Sequence, residues 1–257
     1  MAGLDRQASN SYTGCPMKVF VILPAAGLGT RMAPMAAPGK KSAPSKQFTE
    51  LAGTPILIHT LRKFAAVPRV SEIWVALRQT EIQGFRSRLE KEAPDVLQKK
   101  VEFVEGGEHR QQSVAMALNA ISASADDIIL VHDAVRPLVS PEIIEDVLRA
   151  AERHGAAIAG LPAVDTVKQV ERSPDGAVIH TTIPRASVVL AQTPQGFRYG
   201  LLKKAFDEAA ADGFLGTDEA SLLERAGQTV AVVMGSPRNI KITAPADMEL
   251  AEFYLKH

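Results

Sequence analysis

The chain has 257 residues, with 29 Lys plus Arg against 29 Asp plus Glu, 46% hydrophobic residues and one cysteine. This composition excludes collagen, coiled coil and wholesale disorder, and the length allows one large α/β domain or two small ones with a sufficient core. Zero formal charge predicts no broad field for nucleic acid or an acidic membrane, no apolar stretch approaches the ~20 residues that span a bilayer, and a lone Cys15 forms neither an internal disulfide nor a thiolate zinc site, so a cytoplasmic setting is expected.

Residues 1–16 are small and polar, lack an apolar signal-peptide region and read as a disordered extension. From Lys18 the β-branched run KVFVILPAAG reads as a strand buried on both faces. Similar runs follow at 72–77, 101–107 and 126–133, with helical patterns between them at 55–67, 80–93 and 110–121. This alternation is the signature of βαβ units and a mostly parallel sheet with helices on both faces. The segment MAPMAAPGKKSAPS (32–45) is low in complexity and reads as a mobile loop.

Ser140 and Pro141 open a further helix, serine as cap and proline at the first helical position, and a strand follows at 156–162. Residues 163–187 change character: VDTVKQV and AVIHTTI alternate about the turn SPDG, which predicts a β-hairpin arm packing on something other than the main sheet, a partner subunit being one candidate. The chain closes with VVLAQTPQGF, helices near 199–212 and 217–226, a strand TVAVVMG and a final helix from Pro245. The expectation is one Rossmann-like α/β domain over 17–257 carrying the arm.

Ligands of open α/β sheets bind beyond the carboxyl ends of the strands, and four segments lie there. PAAGLGTRM (24–32) offers Gly27 and Gly29 for close backbone approach to an anion and Arg31 as a fork for phosphate, although a plain tight turn would use the same glycines. Met32 stands where a dinucleotide fingerprint needs glycine, and GKKS lacks the preceding glycine of a Walker A loop. SKQF (45–48) places Lys46 after the loop. EGGEHRQQS (105–113) presents free amides with Arg110 and the Ser113 hydroxyl at a helix start. VHDAVRP (131–137) puts Asp133 at a strand end, with Arg136 three residues on, where a carboxylate can meet a metal or a sugar hydroxyl. The six histidines have no metal-ligand spacing, His59 reads as helix packing, and no GxSxG elbow is present. What survives is a site for phosphates.

PAAGLGTRM, SKQF, GGEHRQQSV, VHDAVRP, DTVK, TPQGF, TDEASLLE and NIKIT, in this order over about residues 17–257, resemble the 2-C-methyl-D-erythritol 4-phosphate cytidylyltransferases. The resemblance implies a nucleotidyltransferase that moves a cytidylyl group from CTP to a polyol phosphate, releases pyrophosphate, and works with Mg2+ carried mainly by the CTP phosphates in the non-mevalonate isoprenoid pathway. It also implies a homodimer formed through the arm. On this likeness Pro24, Ala25, Ala26, Gly27 and Gly29, with Gly107, Glu108, Ser113 and Ala134, hold the nucleotide. Arg31, Lys46 and Lys241 match the catalytic cations around the triphosphate, and Asp133, Arg136 and Thr166 match the acceptor contacts. Arg185 and Thr193 match residues supplied to the partner's site, and Thr217 stands in a further functional stretch. The sequence departs from the family pattern in a longer segment between Arg31 and Lys46, and in Ser45 where proline usually stands.

Three other readings remain open at this point. A ribitol 5-phosphate cytidylyltransferase differs by few acceptor contacts, with TDEASLLE leaning toward methylerythritol. A nucleotide-sugar synthase would use another base. A catalytically inactive nucleotide-binding module would not need Arg31, Lys46 and Lys241 together.

Overall fold

A computed structural model describes residues 17–27 and 45–257. The expected extension at 1–16, most of the 32–45 loop, Gly29 and Arg31 lie outside the described residues.

The first strand, β1 (Val19–Pro24), shows why this sequence folds as layers. Its alternate side chains, Val19, Val21 and Leu23, face one core with Leu57, Leu61, Phe64, Ile144, Val147 and Leu148. Phe20 and Ile22 face the other, with Val114, Leu118, Phe197, Leu202 and Phe206. Each such side chain, fully removed from water, contributes about 1.5–3 kcal/mol. A continuous apolar run is therefore what a strand covered on both faces requires.

Two short strands, β2 (Glu50–Leu51) and β3 (Thr54–Pro55), form a small hairpin before α1 (Ile56–Ala65). Then come β4 (Val70–Leu77), α2 (Gln79–Glu92), β5 (Lys100–Glu105), α3 (Arg110–Ala120) and β6 (Ile128–Val131). Helix α4 (Pro141–His154) is capped by Ser140 Oγ, which accepts from the Ile143 amide at 3.4 Å, and ends at Gly155 with φ 85°. Strand β7 (Ala156–Pro162) follows.

The expected arm forms as β8 (Val167–Ser173) and β9 (Gly176–Ile183), an antiparallel pair in a sheet of its own. The last elements are β10 (Val189–Arg198), α5 (Tyr199–Ala211), α6 (Glu219–Arg225), β11 (Ala231–Met234) and α7 (Pro245–Lys256). No helix among the described residues is long and apolar enough to cross a membrane.

The seven-stranded sheet runs β11-β7-β10-β6-β1-β4-β5. All its pairings are parallel except those of β10, which lies antiparallel between β6 and β7. The periodicity of VVLAQTPQGF leaves this strand unassigned in the sequence reading, because a register break between Ala191 and Gln195 interrupts it. The break carries Gln192 and Thr193 to the carboxyl end of β6, where the site lies.

Candidate active site

The loop after β1 is held open from both sides. Gln47 Nε2 donates to the Ala25 carbonyl at 2.6 Å and Arg78 Nε to that of Ala26 at 3.0 Å, while the Ala25 amide donates to Ala76 O at 2.8 Å. Opposite stands the 106–109 loop. A Cβ at Gly106 would lie 2.5 Å from Ala26 Cβ, and one at Gly107 2.5 Å from Gln112 Cβ, so both glycines are demanded by close packing. At Gly27 a Cβ would meet nothing within 4 Å, and the space left open there belongs to the pocket.

That pocket opens to solvent and is lined by Pro24, Ala25, Ala26, Gly27, Lys46, Gly107, Glu108, Arg110, Ser113, Asp133, Ala134 and Lys241 among others. They include every nucleotide-holding residue expected from the sequence except Gly29, two of the expected cations, and Asp133, expected as an acceptor contact. Lys46 stands at the pocket wall despite the unusual Ser45, whose hydroxyl donates to Glu81 Oε1 at 2.9 Å and anchors the short 3-10 turn that begins at Lys46. The Ser113 hydroxyl reaches the backbone carbonyls of His109 at 3.2 Å and Gly107 at 3.4 Å, so its proton serves the loop and its lone pairs remain as acceptors.

A second cavity adjoins the first, lined by Arg110, Asp133, Arg136, Gln192, Thr193, Thr217 and Lys241 among others. Arg110, Asp133 and Lys241 line both cavities. The Asp133 carboxylate is the centre of that junction: Lys241 Nζ lies 2.9 Å from it, Arg110 Nε 3.1 Å and Arg136 Nε 3.4 Å. Burial raises the carboxyl's pKa, but Arg110, Lys241 and Arg136 outweigh it and hold the group well below the usual carboxylate range.

Arg110 is itself fixed by Glu219, whose two oxygens accept from Nη1 at 2.7 and 2.9 Å. Burial pushes Glu219 up and Arg110 opposes it; on the arginine, burial is outweighed by Glu219 and Asp133, which strengthen its charge. In the sequence Arg110 belongs to the phosphate-facing helix start, and Glu219 carries no signal of its own. The only signal for the pair lies in the strings GGEHRQQSV and TDEASLLE, far apart along the chain and joined by the fold. Among the described residues no group of three or more His, Cys, Asp or Glu side chains is placed to hold a metal ion.

The remaining expected residues divide between the surface and the second cavity. Thr166 and Arg185 are exposed and line neither cavity, and Arg185 Nη1 donates to Val164 O at 2.9 Å. Thr193, matched to the partner's site, is instead 5% exposed within its own chain, with Oγ1 3.1 Å from the Asp133 amide and 3.0 Å from His132 Nδ1. The antiparallel insertion of β10 beside β6 is what carries it there. Thr217 is exposed and lines the second cavity.

A family model described as IspD, 2-C-methyl-D-erythritol 4-phosphate cytidylyltransferase, matches residues 19–257. A protein of Acidobacterium capsulatum with that name is 59% identical over 240 residues, covering 93% of this chain and 98% of its own length. One of Solibacter usitatus with the same name is 51% identical, covering 93% and 96%. Among solved structures, the 2-C-methyl-D-erythritol 4-phosphate cytidylyltransferase of Francisella tularensis matches with a TM-score of 0.75 at 36% identity, covering 92% of this chain and 99% of that one.

Proposed function

The chain belongs to the 2-C-methyl-D-erythritol 4-phosphate cytidylyltransferase (IspD) family, and from that premise we propose how its residues divide the reaction. The reaction itself is transfer of CMP from CTP to 2-C-methyl-D-erythritol 4-phosphate, giving 4-diphosphocytidyl-2-C-methyl-D-erythritol and pyrophosphate, a step of the non-mevalonate isoprenoid pathway. The observation that carries the division of labour is the pair of adjoining cavities sharing Arg110, Asp133 and Lys241. CTP takes the first cavity, walled by backbone and glycines. The acceptor takes the second, and the two phosphates meet at the shared junction.

One oxygen of the acceptor phosphate attacks the α-phosphorus in line, and the bond to the bridging oxygen of pyrophosphate breaks as that oxygen takes the electron pair. Two anions must approach, so Lys46, Lys241 and Arg31 are assigned to offset the repulsion and the charge that builds on the nonbridging oxygens. The acceptor phosphate is already ionised near neutral pH, and the reaction needs no general base. Asp133 suits none, since a carboxyl held so far below its usual range is a weak base. Its carboxylate is assigned to orient Arg110, Arg136 and Lys241 and to accept from an acceptor hydroxyl.

Magnesium fits this donor set as a cation that arrives on the triphosphate. It would need few carboxylates where phosphate oxygens and water complete its shell, and the pocket lining offers two, Glu108 and Asp133. When bound it would neutralise charge across the phosphates.

The arm makes the chain a homodimer, with Arg185 and Thr166 serving the neighbour's acceptor. What supports this is their exposure, together with apolar side chains that their own chain leaves uncovered: Val164, Val178 and Ile179 are 76%, 70% and 60% exposed. A pyrophosphate-release assay with CTP and magnesium tests the acceptor. Turnover is expected with methylerythritol phosphate and little with ribitol 5-phosphate, and the reverse preference would overturn the assignment.

A further inference from the structure

We propose that His132 and Thr193 are positioning residues for Asp133, joined to it by a hydrogen-bond chain whose direction is fixed. His132 follows β6, is fully buried, and meets the Phe64 ring edge-on at 4.9 Å. Its Nε2 lies 3.1 Å from the backbone oxygen of Arg136 and its Nδ1 3.0 Å from Thr193 Oγ1. A carbonyl oxygen only accepts, so Nε2 carries the ring proton. Burial pushes the imidazole pKa down to about 4, and the ring is neutral at pH 7. Nδ1 then presents only a lone pair, and the Thr193 hydroxyl must donate to it. A lone pair of the same oxygen accepts from the Asp133 amide at 3.1 Å.

The donors thus run in one direction: Asp133 N–H to Thr193, Thr193 O–H to His132, and His132 Nε2–H to the Arg136 carbonyl. The Arg136 amide in turn donates to the Asp133 carbonyl at 3.0 Å, so the 132–136 turn closes on itself through a side chain of β10. Asn239 Nδ2 clamps the strand from the other side by donating to the Thr193 carbonyl at 2.8 Å. One consequence concerns Thr193 directly. Its single hydroxyl proton is committed inside the protein, leaving none to donate to a substrate phosphate in either subunit. Its effect on the reaction passes through Asp133, whose carboxylate it holds among Arg110, Arg136 and Lys241. The kinetic part of this inference rests on the acceptor role assigned to Asp133; the direction of the chain does not.

The test joins nitrogen NMR of the histidine-labelled full chain to steady-state kinetics, with His132→Asn used to assign the His132 signals. At pH 7 the His132 spectrum is expected to show a protonated Nε2 and a bare Nδ1, with the Nδ1 resonance moving in Thr193→Val. A protonated Nδ1, alone or in an imidazolium, would overturn the chain without any variant having to fold.

Thr193→Val is expected to lower kcat/KM for the acceptor about tenfold, as for one lost hydrogen bond, while KM for CTP stays within about threefold. Thr193→Ser, which keeps the hydroxyl, should recover most of that loss. Equal losses in the serine and valine variants, or no loss in valine, would sink the positioning role. Asp133→Asn separates the two readings: unchanged acceptor kinetics there, with the wild-type NMR pattern intact, removes Asp133 from acceptor binding and leaves the hydrogen-bond chain standing.

Discussion

Ser113, Asp133 and Lys46 reach the paired cavities from positions 2%, 6% and 8% exposed, whereas Thr166 and Arg185, assigned to the same reaction, stand exposed with the apolar arm beside them. The first group is placed by one chain's own packing: strand ends, crowded glycines and buried ion pairs leave each side chain few alternatives. The second group has no such support. A hairpin whose Val178 and Ile179 face solvent gains little free energy from its own chain. The difference teaches that both cavities, with Asp133 between them, are a property of the fold, while the acceptor contacts proposed for the arm are a property of the assembly.

The sharpest way to test the fold-built half is to remove its cations. Lys46→Ala and Lys241→Ala are each expected to depress turnover at least ~100-fold, as for loss of a preorganised transition-state charge, with thermal unfolding little changed. Lys241 is 37% exposed and its loss leaves Asp133 paired with Arg110 and Arg136, while Lys46, 8% exposed, lines the pocket, so its truncation widens the pocket and not the core. Near-wild-type turnover in either would remove that residue from the chemistry.

A paired substitution then tests the contrast in stability. Leu148 is fully buried in the core under α4, and Leu148→Ala should cost about 2–5 kcal/mol in urea unfolding. Val178→Asp, on the exposed arm, should change the unfolding of dilute single chains by no more than ~0.5 kcal/mol and instead shift sedimentation from dimer toward monomer. An arm that contributes to single-chain stability as the core does would erase the distinction.

Acid offers a third handle on the fold-built half. Burial is the main cause that lowers His132 from its ordinary 6.5 to about 4; Asp133 faces it and raises the value, while Arg136 and Arg110 lower it. Between those values the unfolded chain binds the proton and the native chain does not. Stability attributable to this group is therefore fully present above pH 6.5, falls as pH drops through the window, and levels off below about 4. The total is of order ~3 kcal/mol. His132→Asn should lack this component, so urea midpoints at pH 7.5 and 4.5 should differ less in the variant than in the wild type. Equal differences would show that the ring is not buried neutral.

Much of this was legible in the residues, and the exceptions have physical causes. The strands β1 and β6 are apolar runs because both faces are covered, and α4 carries its own cap in Ser140 and Pro141, so period and punctuation sufficed. Strand β10 was not legible, since the break at Gln192–Pro194 destroys its alternation and its antiparallel direction goes against the βαβ rhythm. The same insertion explains Thr193, whose position in the chain gives no hint that it lies against its own Asp133. Arg110 and Glu219 are 109 residues apart, and only tertiary packing turns a turn arginine and a helix-start glutamate into one ion pair. Asp133 could be found from the rule that strand ends collect ligands, since it lies just beyond β6, whereas Lys46 precedes β2 and its expected role came only with the family resemblance.

The smallest expected effect bears most directly on the assembly-built half. Arg185 donates to the Val164 carbonyl and touches neither cavity of its own chain, so Arg185→Ala should leave CTP binding unchanged and weaken acceptor kcat/KM by about tenfold. Its location predicts more than its size. In a heterodimer of Arg185→Ala with Lys241→Ala, the site that keeps Lys241 receives its arm from the Lys241→Ala chain, which carries an intact Arg185. One of the two sites is then complete, and the mixture should recover up to about half the activity per dimer of the wild type, from parents that each lack a necessary group. An arm that served its own chain would leave both sites of that heterodimer defective, and mixing would add nothing beyond the two parents averaged.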